Sequence, residues 1–402
     1  MTSGSSPADS AADSRPIVVH GARSETYDFG PLHPLTPRRF GPGIDLLREL
    51  GADRFLAPEP ADDRSLRRLH GAAYIETVKR FSVDPERPAE RGIGPGDDPA
   101  FVGMHEAAAS VAGGSLAAMD AIVAGQALHG FHPGGGLHHA MAGHAAGFCI
   151  YNDVALACAM ARDAGHRVLY LDFDVHHGDG VQALFWDDPQ VVTLSIHETG
   201  ETLFPGTGFV RERGGHGSEG PAVSIPSAIG TAINLPMVAG TGDASWLAAL
   251  QAVVPTLAEA FRPTMLVTQH GCDSHLLDPL AHLRLTTAAY REATLLADTI
   301  AHRWCEGRWL ATGGGGYDVY RVVPRSWGLV WLAQAHREPE STPAAWRDRW
   351  SAAAERWRQG PPPERFVDPP DTAAAEPPGV VAANASVVEL VSRLIAETQL
   401  DG

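Results

Sequence analysis

The stretch Val168-Leu-Tyr-Leu-Asp-Phe-Asp-Val-His-His-Gly-Asp-Gly180 decides how the rest of the chain is read. It opens with Val168, Leu169, Tyr170 and Leu171, a run suited to a buried strand. Asp172, Asp174, His176, His177 and Asp179 then crowd into the next residues. Residues two apart on a strand face the same way. A strand over residues 168–175 is therefore expected to project Asp174 and His176 together at its carboxyl end. Charged groups buried there must be compensated. A divalent metal does this, and Asp/His ligation suits zinc or iron(II).

The same design recurs to either side. Short apolar runs at residues 128–132, 191–196, 265–268 and 309–312 each hand over to a polar or glycine-rich loop. Those loops are Pro133-Gly-Gly-Gly-Leu-His-His139, His197-Glu-Thr-Gly200, Gln269-His-Gly-Cys-Asp273 and Gly313-Gly-Gly-Gly-Tyr317. Helical patterns over residues 152–164, 246–261 and 286–301 alternate with these five strands. The alternation predicts an open, mostly parallel α/β sheet with helices on both faces, in a single domain. Sites in such sheets form outside the strands' carboxyl ends, so the scattered polar loops are expected to converge.

Upstream, Ile17-Val-Val19 suits a first strand, and residues 38–50, 70–81 and 104–125 suit helices. Residues 1–15, rich in Ser, Ala and Asp, read as a disordered tail without a secretory leader. The catalytic domain is expected over residues 16–345, followed at 346–402 by a Pro-rich segment and a C-terminal helix. That helix is expected from Ser386, with Ser386 as its cap and Glu389 three residues on. Its apolar stripe suits docking or a homo-oligomer contact.

The net charge of −17 argues against a nucleic-acid partner held by phosphate neutralisation. Lys79 is the only lysine, so a Schiff-base mechanism has one candidate, outside every polar loop. Cys149, Cys158, Cys272 and Cys305 lack C-x-x-C spacing, which fits a reduced cytoplasm better than a disulfide framework. No apolar run is read as a membrane span.

A third metal ligand must come from another strand, and Asp273 is the best placed. Two carboxylates and one imidazole leave positions open, as a catalytic metal needs. His275 and Asp278 raise a binuclear alternative. The first motif supplies one Asp-x-His pair and the later one Asp273-x-His275 rather than Asp-x-Asp, which favours one metal. His138 and His139, with Asp172 and Asp179 available, suggest two His–Asp dyads able to move a proton. The glycines before Tyr317 suit close backbone approach, and its hydroxyl suits an oxyanion. No G-x-S-x-G, H-E-x-x-H, G-x-G-x-x-G or P-loop pattern competes. Phe148 and Phe204 border the loops as core or as site walls.

Together these motifs, with His33-Pro34, Gly147-Phe-Cys-Ile-Tyr-Asn-Asp153 and Phe204-Pro-Gly-Thr-Gly208, resemble the histone deacetylase superfamily, most closely its bacterial acetoin-utilisation members. The resemblance runs from about residue 27 to about residue 331. It implies an arginase/deacetylase-like α/β fold and metal-dependent hydrolysis of acetyl-lysine amides. Asp174, His176 and Asp273 would hold Zn2+, or Fe2+. His139 with Asp179 would be the main general base and acid, and His138 with Asp172 its electrostatic neighbour. Tyr317 would stabilise the transition state. Gly147, Phe148, Phe204 and Leu280 would line the channel for the lysine stem, Asp97 would hold substrate backbone at the rim, and Arg39 would lie beneath the site. Structural K+ would sit near Ser195 and Ile196 beside Asp172, and again near Phe185, Asp188 and Val191. Acetylated protein lysines, among them those of an acetyl-CoA synthetase, are the implied partners. Small acetylated amines such as acetylpolyamines are the alternative substrates, and a catalytically silent acetyl-lysine-binding module is the alternative of another class.

Overall fold

The computed structural model describes residues 15–215 and 229–398. The tail expected over residues 1–15 lies, apart from Arg15, outside the described residues. The strands are β1 (Ile17–Val19), β2 (Phe55–Leu56), β3 (His129–His132), β4 (Val168–Asp172), β5 (Val191–Glu198), β6 (Ala232–Met237), β7 (Met265–Gln269) and β8 (Trp309–Thr312). They form one sheet in the order β2-β1-β3-β8-β7-β4-β5-β6, with every neighbouring pair parallel. The helices are α1 (Phe40–Glu49), α2 (Asp63–Leu66), α3 (Ala72–Val83), α4 (Met104–Val123), α5 (Asp153–Asp163), α6 (Asp179–Leu184), α7 (Asp243–Phe261), α8 (Thr287–Trp304), α9 (Val323–Gln334), α10 (Ala344–Arg356) and α11 (Pro378–Glu397).

Alternation along the buried strands splits the core in two. Leu169 and Leu171 pack with α1 and α7 to α11 on one face. Val168 and Tyr170 pack with α4, α5 and α6 on the other. Both faces of a parallel sheet must be covered, which is why β4 carries no polar residue before Asp172. A third apolar cluster, holding Tyr74, Phe81, Met104 and Tyr151, supports the loops above the sheet ends.

Four expectations are corrected. First, β4 stops at Asp172, so Asp174 and His176 lie on the following turn rather than on the strand. Second, β2 and β6 join the predicted strands. β2 is only two residues long, and β6 carries Pro236, tolerated because β6 is an edge strand. Third, α11 starts at Pro378 with a proline in its first turn, and Ser386 lies inside it, its hydroxyl donating to the Ala382 carbonyl. Fourth, α4, α7 and α11 are each long and apolar enough, by length and composition, to cross a membrane. Small apolar residues with few charges between them make them so. In α4 the apolar surface is largely spent inside the domain.

Candidate active site

Every loop that leaves a central strand carries part of one site. Beyond β4 the chain turns tightly because the Asp174 carboxylate accepts the backbone N–H of His176 at 3.0 Å. That turn, rather than the strand pleat, brings Asp174 and His176 together. His176 Nδ1 lies 3.1 Å from Asp174 Oδ1 and 3.1 Å from Asp273 Oδ2, which arrives after β7. One ligand atom from each of the three residues lies within 4.8 Å of the others. Asp174 and Asp273 are buried.

The carboxylates are held from behind. Gln269 Nε2 and the Gly315 N–H each donate to Asp174 Oδ2 at 2.8 Å. The Val175 N–H donates to Asp273 Oδ1 at 3.0 Å. A Cβ on Gly315 would lie 1.9 Å from Asp273 Oδ2, and one on Gly271 2.0 Å from Asp174 Oδ2. Glycine at both positions is what lets two buried carboxylates sit against the backbone.

Asp174 is held well below the usual carboxylate range. Burial opposes its charge, but His138 and His176 outweigh it. Burial and then Asp174 push Asp273 up to about 6. His176 rises to about 10 because its bonds to Asp174 and Asp273 outweigh burial. Two closely spaced carboxylates thus demand a positive charge between them, and in the protonated site the imidazole supplies it. A divalent cation answers the same demand, so the donor set fits one.

Beside this cluster stand the two histidines of the glycine-rich loop. His138 Nδ1 donates to Asp172 Oδ2 at 2.8 Å, and His139 Nδ1 to Asp179 Oδ1 at 2.6 Å. Their Nε2 atoms are 3.0 Å apart. Burial works against a charged His138, yet Asp172 and Asp174 raise it to about 9. Burial and then His138 lower His139 to about 4, against the pull of Asp179. The two adjacent imidazoles are thereby drawn apart, His138 upward by Asp172 and Asp174, and His139 downward by burial and by His138.

A cavity of about 230 Å³ leads down to these groups. Phe148, Phe204, Gly147, Leu280 and Asp97 line it with His138, His139, Asp174, His176 and Tyr317. Phe204 is exposed at the mouth and packs edge-on to the His139 ring. Phe148 has a φ of 69° and meets the Tyr317 ring edge-on. Gly147 lies against His139, where a Cβ would come within 2.4 Å of the ring. Arg39 is buried outside the cavity lining and donates to the Gly314 carbonyl at 2.6 Å. Ser195 pairs across from Asp172, its hydroxyl meeting His197 Nδ1 at 2.8 Å, and Ile196 follows it, buried in β5. Phe185 and Val191 are also buried. The Asp188 carboxylate is engaged by Arg162 at Oδ2 (2.7 Å) and by the Gln190 N–H at Oδ1 (2.9 Å).

The fold also fixes the partners of several supporting residues, most of them not legible from the sequence. Asp153 accepts the Gly136 and Leu137 N–H groups and the Ser115 hydroxyl, and so fixes the glycine-rich loop. Asp278 holds Tyr317 through its N–H at 2.9 Å. Tyr170 donates to Asp172 at 2.6 Å. His177 bonds Thr207 and Gln182, a structural place behind the site. His275 turns away to Asp368 at 3.0 Å, apart from the cluster of Asp174, His176 and Asp273. Lys79 pairs with Asp63 at 2.7 Å on α2 and α3.

An open parallel sheet with an Asp/His/Asp cluster, paired His–Asp dyads and a tyrosine at its carboxyl edge defines a class of metal-centred hydrolases, and the histone deacetylase domain family matches residues 33–334 of this chain. The chain belongs to the histone deacetylase family. It is 42% identical over 344 residues to the acetoin utilization protein AcuC of Bacillus subtilis (strain 168), covering 83% of this chain and 86% of that protein. It is 36% identical over 337 residues to AcuC of Staphylococcus xylosus, covering 82% and 85%. Among solved structures it resembles an HDAC homologue complexed with SAHA, with a TM-score of 0.79 and 26% identity, covering 94% of this chain and 99% of that one. The chain is therefore an acetoin-utilisation-type member of the family, with deacetylase and hence hydrolase chemistry.

Proposed function

We propose that this chain hydrolyses the acetyl-lysine amide of proteins. The observation that carries the reading is the narrow aromatic-lined cavity ending on Asp174, His176, His138, His139 and Tyr317. Phe148 and Phe204 grip an extended methylene stem, and Asp97 at the rim accepts a backbone N–H from the substrate. Asp174, His176 and Asp273 would hold a divalent cation, zinc or iron(II), which when bound would supply Lewis-acid polarisation of the acetyl carbonyl and acidify water. His139 Nδ1 is committed to Asp179, so Nε2 is the nitrogen that takes the proton of the attacking water, once released from its 3.0 Å contact with His138 Nε2. The C–N bond then breaks, and His139 returns that proton to the departing amine. His138, hydrogen-bonded to Asp172, stabilises the negative charge that develops beside it. The Tyr317 hydroxyl donates to the carbonyl oxygen as it becomes an oxyanion. Arg39 holds the floor through Gly314, and monovalent cations beside Ser195 and near Phe185 would brace the loops.

Zinc-loaded protein should release fluorophore from an acetyl-lysine peptide, and His139→Ala should lower the rate by at least ~10²-fold. Undiminished turnover in that variant would remove His139 as the base. The same protein is compared on acetylputrescine and on an acetylated acetyl-CoA synthetase. Turnover of the amine alone transfers the reading to small acetylated amines. Turnover of none leaves an acetyl-lysine binder.

A further inference from the structure

A second cluster of metal-ligating side chains lies at the other end of the sheet. His129 opens β3 at the amino-terminal edge, away from the catalytic loops. Asp298 and His302 stand four apart near the end of α8, hence on one face of that helix. His336 follows the end of α9 with a φ of 52°, a conformation in which glycine would cost less. From these four residues, one ligand atom each lies within 4.8 Å of the others.

His302 Nε2 and His336 Nε2 are each 3.4 Å from Asp298 Oδ1 and 3.1 Å from each other. A tetrahedral ion with bonds of about 2.0–2.1 Å sets its ligand atoms about 3.3 Å apart. Three edges of such a tetrahedron are therefore already formed. The fourth corner falls to His129, which is 1% exposed. Its Nδ1–H donates to the Gln334 carbonyl at 2.7 Å, and its Nε2 is buried without a hydrogen-bond partner. A backbone carbonyl on the far nitrogen is the arrangement that fixes the tautomer of a metal-binding imidazole. Asp298 Oδ1 is likewise buried without a hydrogen bond. Two buried lone-pair atoms facing two further imidazole nitrogens call for a shared cation rather than for one another.

We propose that His129, Asp298, His302 and His336 form a second site for a divalent late transition metal of the zinc type. Three imidazoles and one carboxylate make a closed, four-ligand site, which serves structure rather than catalysis. The ion pins the start of β3 to the ends of α8 and α9. His302 and His336 are partly exposed, so it enters from solvent.

The test separates this site from the active site. Chelator-stripped protein is reloaded with Zn2+, passed through gel filtration and assayed for zinc per chain. Wild type is expected to retain two, and both His176→Ala and the double variant His302→Ala/His336→Ala one each. The double variant keeps its deacetylase activity and its fold by circular dichroism. In the His176→Ala background, Co2+ is expected to give the intense visible bands of tetrahedral coordination, and these disappear when His302 and His336 are also changed. A His176→Ala protein that retains no zinc, or a triple variant that retains as much as His176→Ala, overturns the proposal.

Discussion

At the scale of single residues, the site is a problem of close approach. Asp174 and Asp273 sit near enough to share one cation only because Gly271 and Gly315 leave room for their oxygens. In Gly315→Ala the new methyl would overlap Asp273 Oδ2, and the backbone that supplies the Gly315 N–H to Asp174 would have to move. Misplacement of about 1 Å in a reacting group is worth ~10²-fold in rate. Gly315→Ala is thus expected to lose at least that much activity and to retain less zinc at the catalytic site, while its thermal melt stays close to wild type. Stoichiometry and melting together check this, and full activity would contradict it. Tyr317 makes a complementary case. Its ring packs on Phe148 and its backbone is held by Asp278. Tyr317→Phe therefore removes the hydroxyl and little else. An oxyanion donor is worth ~10²–10³-fold in kcat. Steady-state kinetics should show that fall with KM nearly unchanged, whereas a rise in KM alone would make Tyr317 a binding residue.

At the scale of elements, the loops at the strand ends are kept in place by chain that lies far away in sequence. Asp368, in the Pro-rich segment, accepts from Arg325 on α9 at 2.7 Å, from His275 at 3.0 Å and from the Thr287 N–H at the start of α8 at 3.1 Å. Burial opposes its charge, but the His275 and Arg325 contacts hold its carboxyl well below the usual range. A depressed carboxylate stabilises the fold above its unfolded value, about pH 4, and loses that contribution as pH falls toward the folded value. Breaking a buried pair from one side costs ~3–5 kcal/mol. Asp368→Asn should therefore lower stability at neutral pH by a few kcal/mol and flatten the decline below about pH 4. Urea melts across pH would show both effects, and an unchanged acid slope would count against the assignment. Contacts of this kind mark the limit of what was legible in the sequence. The short apolar strands and their polar ends could be read because period and composition report burial locally. The partnerships of His275, Asp278 and Asp153 could not, since each is fixed by a residue brought near only by the fold. The Asp174–His176 pairing was foreseen for the wrong local reason. A tight turn and a strand both bring residues two apart onto one side, and the sequence pattern does not distinguish them. The cluster of His129, Asp298, His302 and His336 was equally hidden, being assembled from three separate elements.

At the scale of the whole molecule, the segment after α10 is part of the catalytic body. Thr342 donates its N–H to the Glu364 carbonyl at 2.7 Å, and Phe366 is buried against α9. Beyond it, α11 lies along β6, the edge strand, and against α7. Val391 and Ile395 enter the main core. Asn384, 1% exposed, accepts the Val238 N–H at 3.1 Å and donates to Thr241 at 2.7 Å, so it satisfies backbone at the end of that edge. An uncovered edge strand is a template for pairing with other chains, and this helix is the cover. Arg325, 1% exposed, would be left as a buried charge without its carboxylate if the segment were removed. Deleting residues 361–402 is accordingly expected to do more than trim a tail. The loss of the Arg325 pair alone, at ~3–5 kcal/mol, corresponds to a fall in Tm of roughly 5 °C for a chain of this length. Exposure of β6 and of the apolar surface beneath α11 should add self-association. Far-UV melting and light scattering of the truncated protein would register both. If it instead melts like wild type as a monomer with full deacetylase activity, the segment is an appendage, and the loops at the sheet's carboxyl edge hold the site without it.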